Sequence, residues 1–127
     1  MVSEKPEHNG ISSFKISMMP TINGLTSAVE SNDFNLTSWH LNNGVNPNNR
    51  DMYGNIALSI AVMNNNIAIT RLLLDFGANP NITDRFGIYP IQYSITSVNS
   101  SIYQLLILYG STNPIIGHID EELNRLN

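Results

Sequence analysis

Part of this chain repeats itself with a fixed 33-residue period. Asp51, Gly54, Leu72, Leu73 and Gly77 recur 33 positions later as Asp84, Gly87, Leu105, Leu106 and Gly110. A fixed period of this length indicates stacked repeats, each of which buries its apolar side chains against its neighbours. The chain is therefore not expected to fold around a single pocket.

Two short amphipathic helices are predicted in each repeat. Apolar residues recur at i, i+3 and i+4 in two runs of the central repeat, which are Leu58, Ala61 and Val62, then Ile69, Leu72 and Leu73. Gly77 and Gly110 follow the second run, where a helix ends in a left-handed residue, so we expect both at positive φ. The pattern predicts an all-α fold of helix-turn-helix repeats with projecting loops.

The repeat resembles a known family. Residues 51–62 read D-M-Y-G-N-I-A-L-S-I-A-V and residues 75–81 read D-F-G-A-N-P-N, which is similar to the ankyrin pattern D-x-x-G-x-T-P-L-H-x-A-A followed by L-L-x-x-G-A-x-x-N. The resemblance covers residues 21–114 and implies a short ankyrin-like solenoid of about three repeats. The departures fall on T-P-L-H, where Ile56 and Ser59 stand in the second unit, Tyr89 and Gln92 in the third, and Asn23 and Thr26 in the first.

We expect three segments: an N-terminal tail or irregular cap over residues 1–19, the repeat domain over 20–114, and a C-terminal capping helix over 115–127. The capping helix is predicted from the spacing of Ile119, Leu123 and Leu126, and from the acidic run 120–122 that suits a helix start. In the first repeat, Trp39 and His40 stand where the other repeats have leucines.

Charge and composition limit which classes of partner the chain is expected to have. A net charge of −4, with only six scattered lysines and arginines, argues against a nucleic-acid partner and is compatible with a basic protein partner. There is no cysteine, no secretory signal in residues 1–19 and no run of about 18 apolar residues that would span a membrane. The expected location is cytoplasmic, with no membrane contact.

No arrangement of residues predicts catalysis. The three histidines, His8, His40 and His118, do not lie at metal-ligand spacing on one helix. The acids at 120–122 are consecutive and so do not share a helix face. We expect a non-enzymatic protein with no metal, no cofactor and no small-molecule substrate.

The resemblance implies where a partner would bind. Ankyrin repeats usually contact partners through the loop before the first helix of each repeat and through the inner face of that helix. By position, these residues are Met52, Tyr53, Asn55, Met63, Asn64, Arg85, Phe86, Ile88, Thr96 and Ser97. Tyr53 and Phe86 are 33 apart and should lie side by side. Two interpretations stay open, because these rings could be interface hot spots or could pack between adjacent loops.

The predicted function is recognition of another protein, most simply by inhibiting or sequestering it. A small acidic chain of this type resembles immunity proteins that neutralise bacterial toxins, and this is the role that we favour. It also resembles short viral ankyrin proteins that sequester host factors. A third alternative is an adaptor that joins two proteins, for which the tail at 1–19 would supply a second contact surface.

Overall fold

The computed structural model describes residues 19–96 and 100–112, which form six α-helices in three consecutive pairs. The helices are α1 Ile22–Glu30, α2 Phe34–Asn42, α3 Ala57–Met63, α4 Ile67–Asp75, α5 Pro90–Ser94 and α6 Ser101–Leu108. These described residues contain no strand, so the all-α prediction is confirmed. The predicted tail at 1–19, except for Met19, and the predicted helix at 115–127 lie outside the described residues.

The helix pairs stack into one continuous core. The first helices of the repeats pack in the order α1, α3, α5, and the second helices pack in the order α2, α4, α6. Leu25, Leu58 and Ile91 occupy equivalent positions in the first helices, and each is fully buried. Burial at the same position of every repeat is what the 33-residue period predicts, because each repeat covers an equivalent face of the one before it.

The second helices end at left-handed glycines. Gly77 has a φ of +92° and Gly110 a φ of +95°, which confirms the prediction for both. The Gly77 N–H donates to the Leu74 carbonyl at 3.0 Å, and the Ala78 N–H donates to the Leu73 carbonyl at 2.9 Å. This pair of bonds is the Schellman motif, which satisfies carbonyls that the helix end leaves free.

The first helices of the first two repeats are followed by left-handed asparagines, which the sequence analysis did not predict. Asn32 (φ +59°) and Asn65 (φ +55°) are equivalent positions of successive repeats and follow α1 and α3. Asparagine tolerates this conformation better than other residues with a side chain. The Asn32 side chain also accepts a hydrogen bond from Asn66 Nδ2 at 3.0 Å, so the turn of one repeat is tied to the turn of the next.

A buried histidine in the first repeat is accommodated by a glycine. His40 occupies the position of Leu73 and Leu106 and is only 3% exposed. A Cβ atom added to Gly24 would lie 2.4 Å from His40 Cε1, so only glycine leaves room for the imidazole. His40 Nδ1 accepts the Thr21 N–H at 3.4 Å, and burial lowers the pKa of the imidazole below its ordinary value.

Candidate protein-binding surface

The loops before α3 and α5 are each folded around one aspartate. Asp51 Oδ1 accepts the N–H groups of Tyr53 at 2.9 Å and Asn55 at 2.8 Å, and the Gly54 N–H donates to the Asp51 carbonyl. The next loop repeats this arrangement, because Asp84 Oδ1 accepts the N–H groups of Phe86 at 2.9 Å and Ile88 at 3.0 Å. Each loop is therefore a hydrogen-bonded turn that projects two side chains at its tip.

The second carboxylate oxygen is satisfied differently in the two loops. Asp51 Oδ2 accepts Thr26 Oγ1 of the preceding repeat at 2.7 Å, whereas Asp84 Oδ2 accepts the hydroxyl of Tyr93 in its own repeat. Burial alone would raise the pKa of both carboxyls, but the hydrogen bonds outweigh it and hold each pKa below the ordinary value. Burial, together with the bond to Asp84, raises the pKa of Tyr93 to about 12.

Two arginines connect neighbouring loops. Arg50 donates from Nη2 to the Thr83 carbonyl at 2.8 Å, and Arg85 donates from Nη1 to the Tyr53 carbonyl at 3.3 Å. The Arg85 guanidinium also lies 4.8 Å from the centroid of the Phe86 ring, within the range of a cation–π contact. The two loops are therefore joined by two arginine side chains, each of which donates to a backbone carbonyl of the other loop.

Large apolar side chains remain exposed at the loop tips. Met52, Tyr53 and Phe86 are 70%, 65% and 67% exposed. We call these three residues, together with Arg85, the loop-tip surface. The Arg85 side chain links the loops through the Tyr53 carbonyl, so this link does not use the Tyr53 ring.

The other predicted contact residues divide into exposed and structural groups. Met63 and Thr96 are exposed on the first helices or just after them. Asn55 and Ile88 are partly buried, and their N–H groups are bound by the loop aspartates.

Asn64 is exposed but is engaged within the fold, and Ser97 lies outside the described residues. The Asn64 amide donates to the Val29 and Glu30 carbonyls at 3.3 Å, and so ties α3 to the end of α1.

Asparagine side chains also tie the loops that follow the second helices. Asn48 Nδ2 donates to the Gly77 carbonyl at 3.0 Å, and Asn48 Oδ1 accepts the Asn79 N–H at 2.6 Å. Asn81 makes the equivalent bonds to the Gly110 carbonyl and the Thr112 N–H. The sequence signal was the recurrence of asparagine at 48 and 81, but its partners could not be read from the spacing.

Metal-ligating residues do not cluster in residues 19–96 and 100–112. No three histidines, aspartates or glutamates there lie close enough together to hold a metal ion. His40 is buried against Gly24, and Asp51 and Asp84 use their oxygens to hold loops. These three side chains therefore have structural roles.

The period, the Schellman glycines and the aspartate-centred loops recur in successive repeats, and a family model agrees with them. The model, described as ankyrin repeats in three copies, matches residues 25–115. This chain is an ankyrin-repeat protein. Ankyrin repeats are protein-interaction modules, so the chain carries a protein-binding scaffold.

A solved ankyrin repeat structure is similar to this chain. It is an ankyrin repeat domain from Acinetobacter baumannii AYE, with 33% sequence identity and a TM-score of 0.63. The match covers 69% of this chain and 47% of that chain, so the similarity spans about half the length of that ankyrin protein. No curated protein matches this chain. Among the described ankyrin helices, none is long and apolar enough to cross a membrane.

Proposed function

We propose that this ankyrin-repeat protein binds one partner protein through the loop-tip surface and acts by covering that partner. The observation that carries the proposal is the exposure of Met52, Tyr53 and Phe86 on loops whose backbone is held by hydrogen bonds. Aromatic residues, methionine and arginine are enriched at protein interfaces. Large rings on a rigid backbone lose little conformational freedom on binding, which favours affinity.

The charges beside these rings suggest which chemistry the partner presents. Arg50 and Arg85 are the exposed charged side chains of the two loops, because Asp51 is partly buried and Asp84 is buried. An apolar segment bearing carboxylates would therefore complement the loop tips. The net charge of the whole chain predicts a basic partner instead, so the local charge and the overall charge favour different partners.

The surface area of the repeats is sufficient for the protein to act by covering its partner. A stable interface covers about 800 Å² on each partner, which a surface built from three repeats can supply. Covering a partner is sufficient to inhibit or sequester it without catalysis. Neutralisation of a toxin is the specific form that we favour, and both this role and the cytoplasmic location remain predictions.

The test begins with site-specific photo-crosslinking in the full chain. A benzophenone amino acid is placed at position 53 or 86, and at position 108 as the control, because Leu108 is 76% exposed but lies on the second helix of its repeat. The partner is the protein that crosslinks from positions 53 and 86 and not from 108. That protein is then purified for affinity measurements.

The affinity measurements use Tyr53→Ala and Phe86→Ala, with Leu108→Ala as the matched control. Each ring truncation should weaken binding by about 2 kcal/mol, or roughly 30-fold, while Leu108→Ala binds like the unaltered protein. Thermal melts of the same variants should be nearly unchanged, because the rings are exposed. If the two ring variants are folded and bind like the unaltered protein, the partner uses another surface.

A further inference from the structure

The last described repeat exposes an apolar position that the other two repeats bury. Leu41, Leu74 and Ile107 are equivalent by the 33-residue period. Leu41 and Leu74 are each 4% exposed, whereas Ile107 is 40% exposed. The three side chains are of similar size and all lie in second helices, so the difference comes from what covers them.

The same difference occurs on the first helices. Val29 and Val62 are 0% and 4% exposed, but the equivalent Ile95 is only partly buried. In the first two repeats, the following repeat packs on this side, since α3 packs on α1 and α5 on α3. Ile95 and Ile107 therefore mark an apolar end face of the stack, which a further layer would cover.

The path of the chain indicates which segment supplies that layer. After Gly44 and after Gly77, the chain leaves the second helix through a Schellman turn and continues into the helices that cover that repeat. Gly110 makes the same turn, with the Ser111 N–H donating to the Leu106 carbonyl at 2.9 Å. The chain thus reaches Thr112 through the same turn that precedes the covering repeats, and residues 113–127 follow in the sequence.

We propose that residues 113–127 cover this end face by packing apolar side chains on Ile95 and Ile107. Within that segment, Ile119, Leu123 and Leu126 are spaced to lie on one side of a helix. A terminal layer of a solenoid needs one apolar face and one polar face, which this spacing provides. The proposal is independent of the proposed function, and it leaves the loop-tip surface free for a partner.

The absence of native cysteine allows a direct test in the full chain. Single cysteines replace Ile107 or, as the control, Leu108, which aligns with the exposed polar residues Asn42 and Asp75. If 113–127 cover the end face, a thiol reagent should modify Ile107→Cys about tenfold more slowly than Leu108→Cys, because the thiol reacts only when the layer opens. Equal rates at the two positions overturn the proposal.

The covering segment is identified by changing it. Substituting Ile119, Leu123 and Leu126 together by asparagine should raise the labelling rate of Ile107→Cys to that of Leu108→Cys. Circular dichroism is used to check that the triple variant is still folded. If it is unfolded, Leu123→Asn alone is used for the same comparison.

Two results exclude residues 113–127 as the cover. If labelling at 107 stays slow after these substitutions, something else covers the face. If the protection at 107 falls on dilution together with the mass measured by sedimentation, a second copy of the chain covers it instead.

Discussion

Replacing Gly24 by alanine should destabilise the protein, although the same change in a helix normally does the opposite. Gly24 lies in the first turn of α1, and alanine has a higher helix propensity than glycine by about 1 kcal/mol. Here the added methyl carbon would lie 2.4 Å from His40 Cε1 and 2.7 Å from His40 Nε2. Atoms at these distances overlap, because carbon atoms in contact are normally about 3.5–4.0 Å apart.

The magnitude follows from how far the imidazole must move. Relieving the overlap requires a shift of about 1 Å in a side chain that is 3% exposed. The overlap is severe, so we expect the upper part of the usual cost of overpacking, about 2–3 kcal/mol, and a net loss of roughly 1–2 kcal/mol after the gain in helix propensity of about 1 kcal/mol. For a domain of this size, that lowers the melting temperature by about 4 °C or more.

A double-mutant cycle tests this reasoning by chemical denaturation and thermal melts. The variant Gly24→Ala with His40→Leu recreates the pair Ala57 and Leu73 of the second repeat, so it should recover most of the stability lost by Gly24→Ala. Ser27→Ala, on the exposed side of α1, is the control and should not lower stability. A melting temperature for Gly24→Ala at or above that of the unaltered protein would refute the packing argument.

Three further predictions concern a buried histidine, two hydroxyls and a left-handed glycine. His40 is buried with a lowered pKa, so stability should fall as the pH drops below 6.5, where the unfolded chain takes up the proton first. By pH 5.5 the loss in unfolding free energy is at most about 1.4 kcal/mol. Urea melts of the unaltered protein should show this loss, and urea melts of His40→Leu should not. Ser59 Oγ is buried with no hydrogen-bond partner in the structure, so Ser59→Ala should leave melting unchanged or raised. The equivalent Thr26→Ala should cost about 1–3 kcal/mol, because it removes the bond to Asp51; equal effects of the two alanines would contradict this assignment. At Gly77, where a Cβ would meet nothing within 4 Å, valine should lower stability by about 1 kcal/mol or more and asparagine by less, and equal melting of the two variants would count against backbone strain.

Local patterns were sufficient to predict the repeating part of the fold. The 33-residue spacing, the apolar positions at i, i+3 and i+4, and the glycines after the second helices predicted the all-α solenoid and the positive φ of Gly77 and Gly110. These features depend on neighbours along one helix or on the backbone of one residue. They can therefore be read from the sequence wherever the pattern recurs.

The candidate surface was predicted only in part, because it depends on contacts between repeats as well as on local patterns. The pattern located Met52, Tyr53 and Phe86 on loops, and the structure establishes that all three are exposed. It did not separate them from Asn64, whose amide is bound to carbonyls at the end of α1. That distinction depends on partners in the preceding repeat, and spacing along the chain does not record them.

Equivalent positions acquire different roles only when the repeats are packed together. Thr26 and Ser59 are related by the 33-residue period, yet Thr26 donates to the next aspartate whereas Ser59 has no partner, and Tyr93 takes over the bond to Asp84. The sequence by itself determined the repeat and its helix ends, because those depend on local backbone and helix geometry. The tertiary structure alone decided which polar atoms are paired and which apolar side chains are covered, because both depend on the distance and direction of side chains in the adjacent repeat.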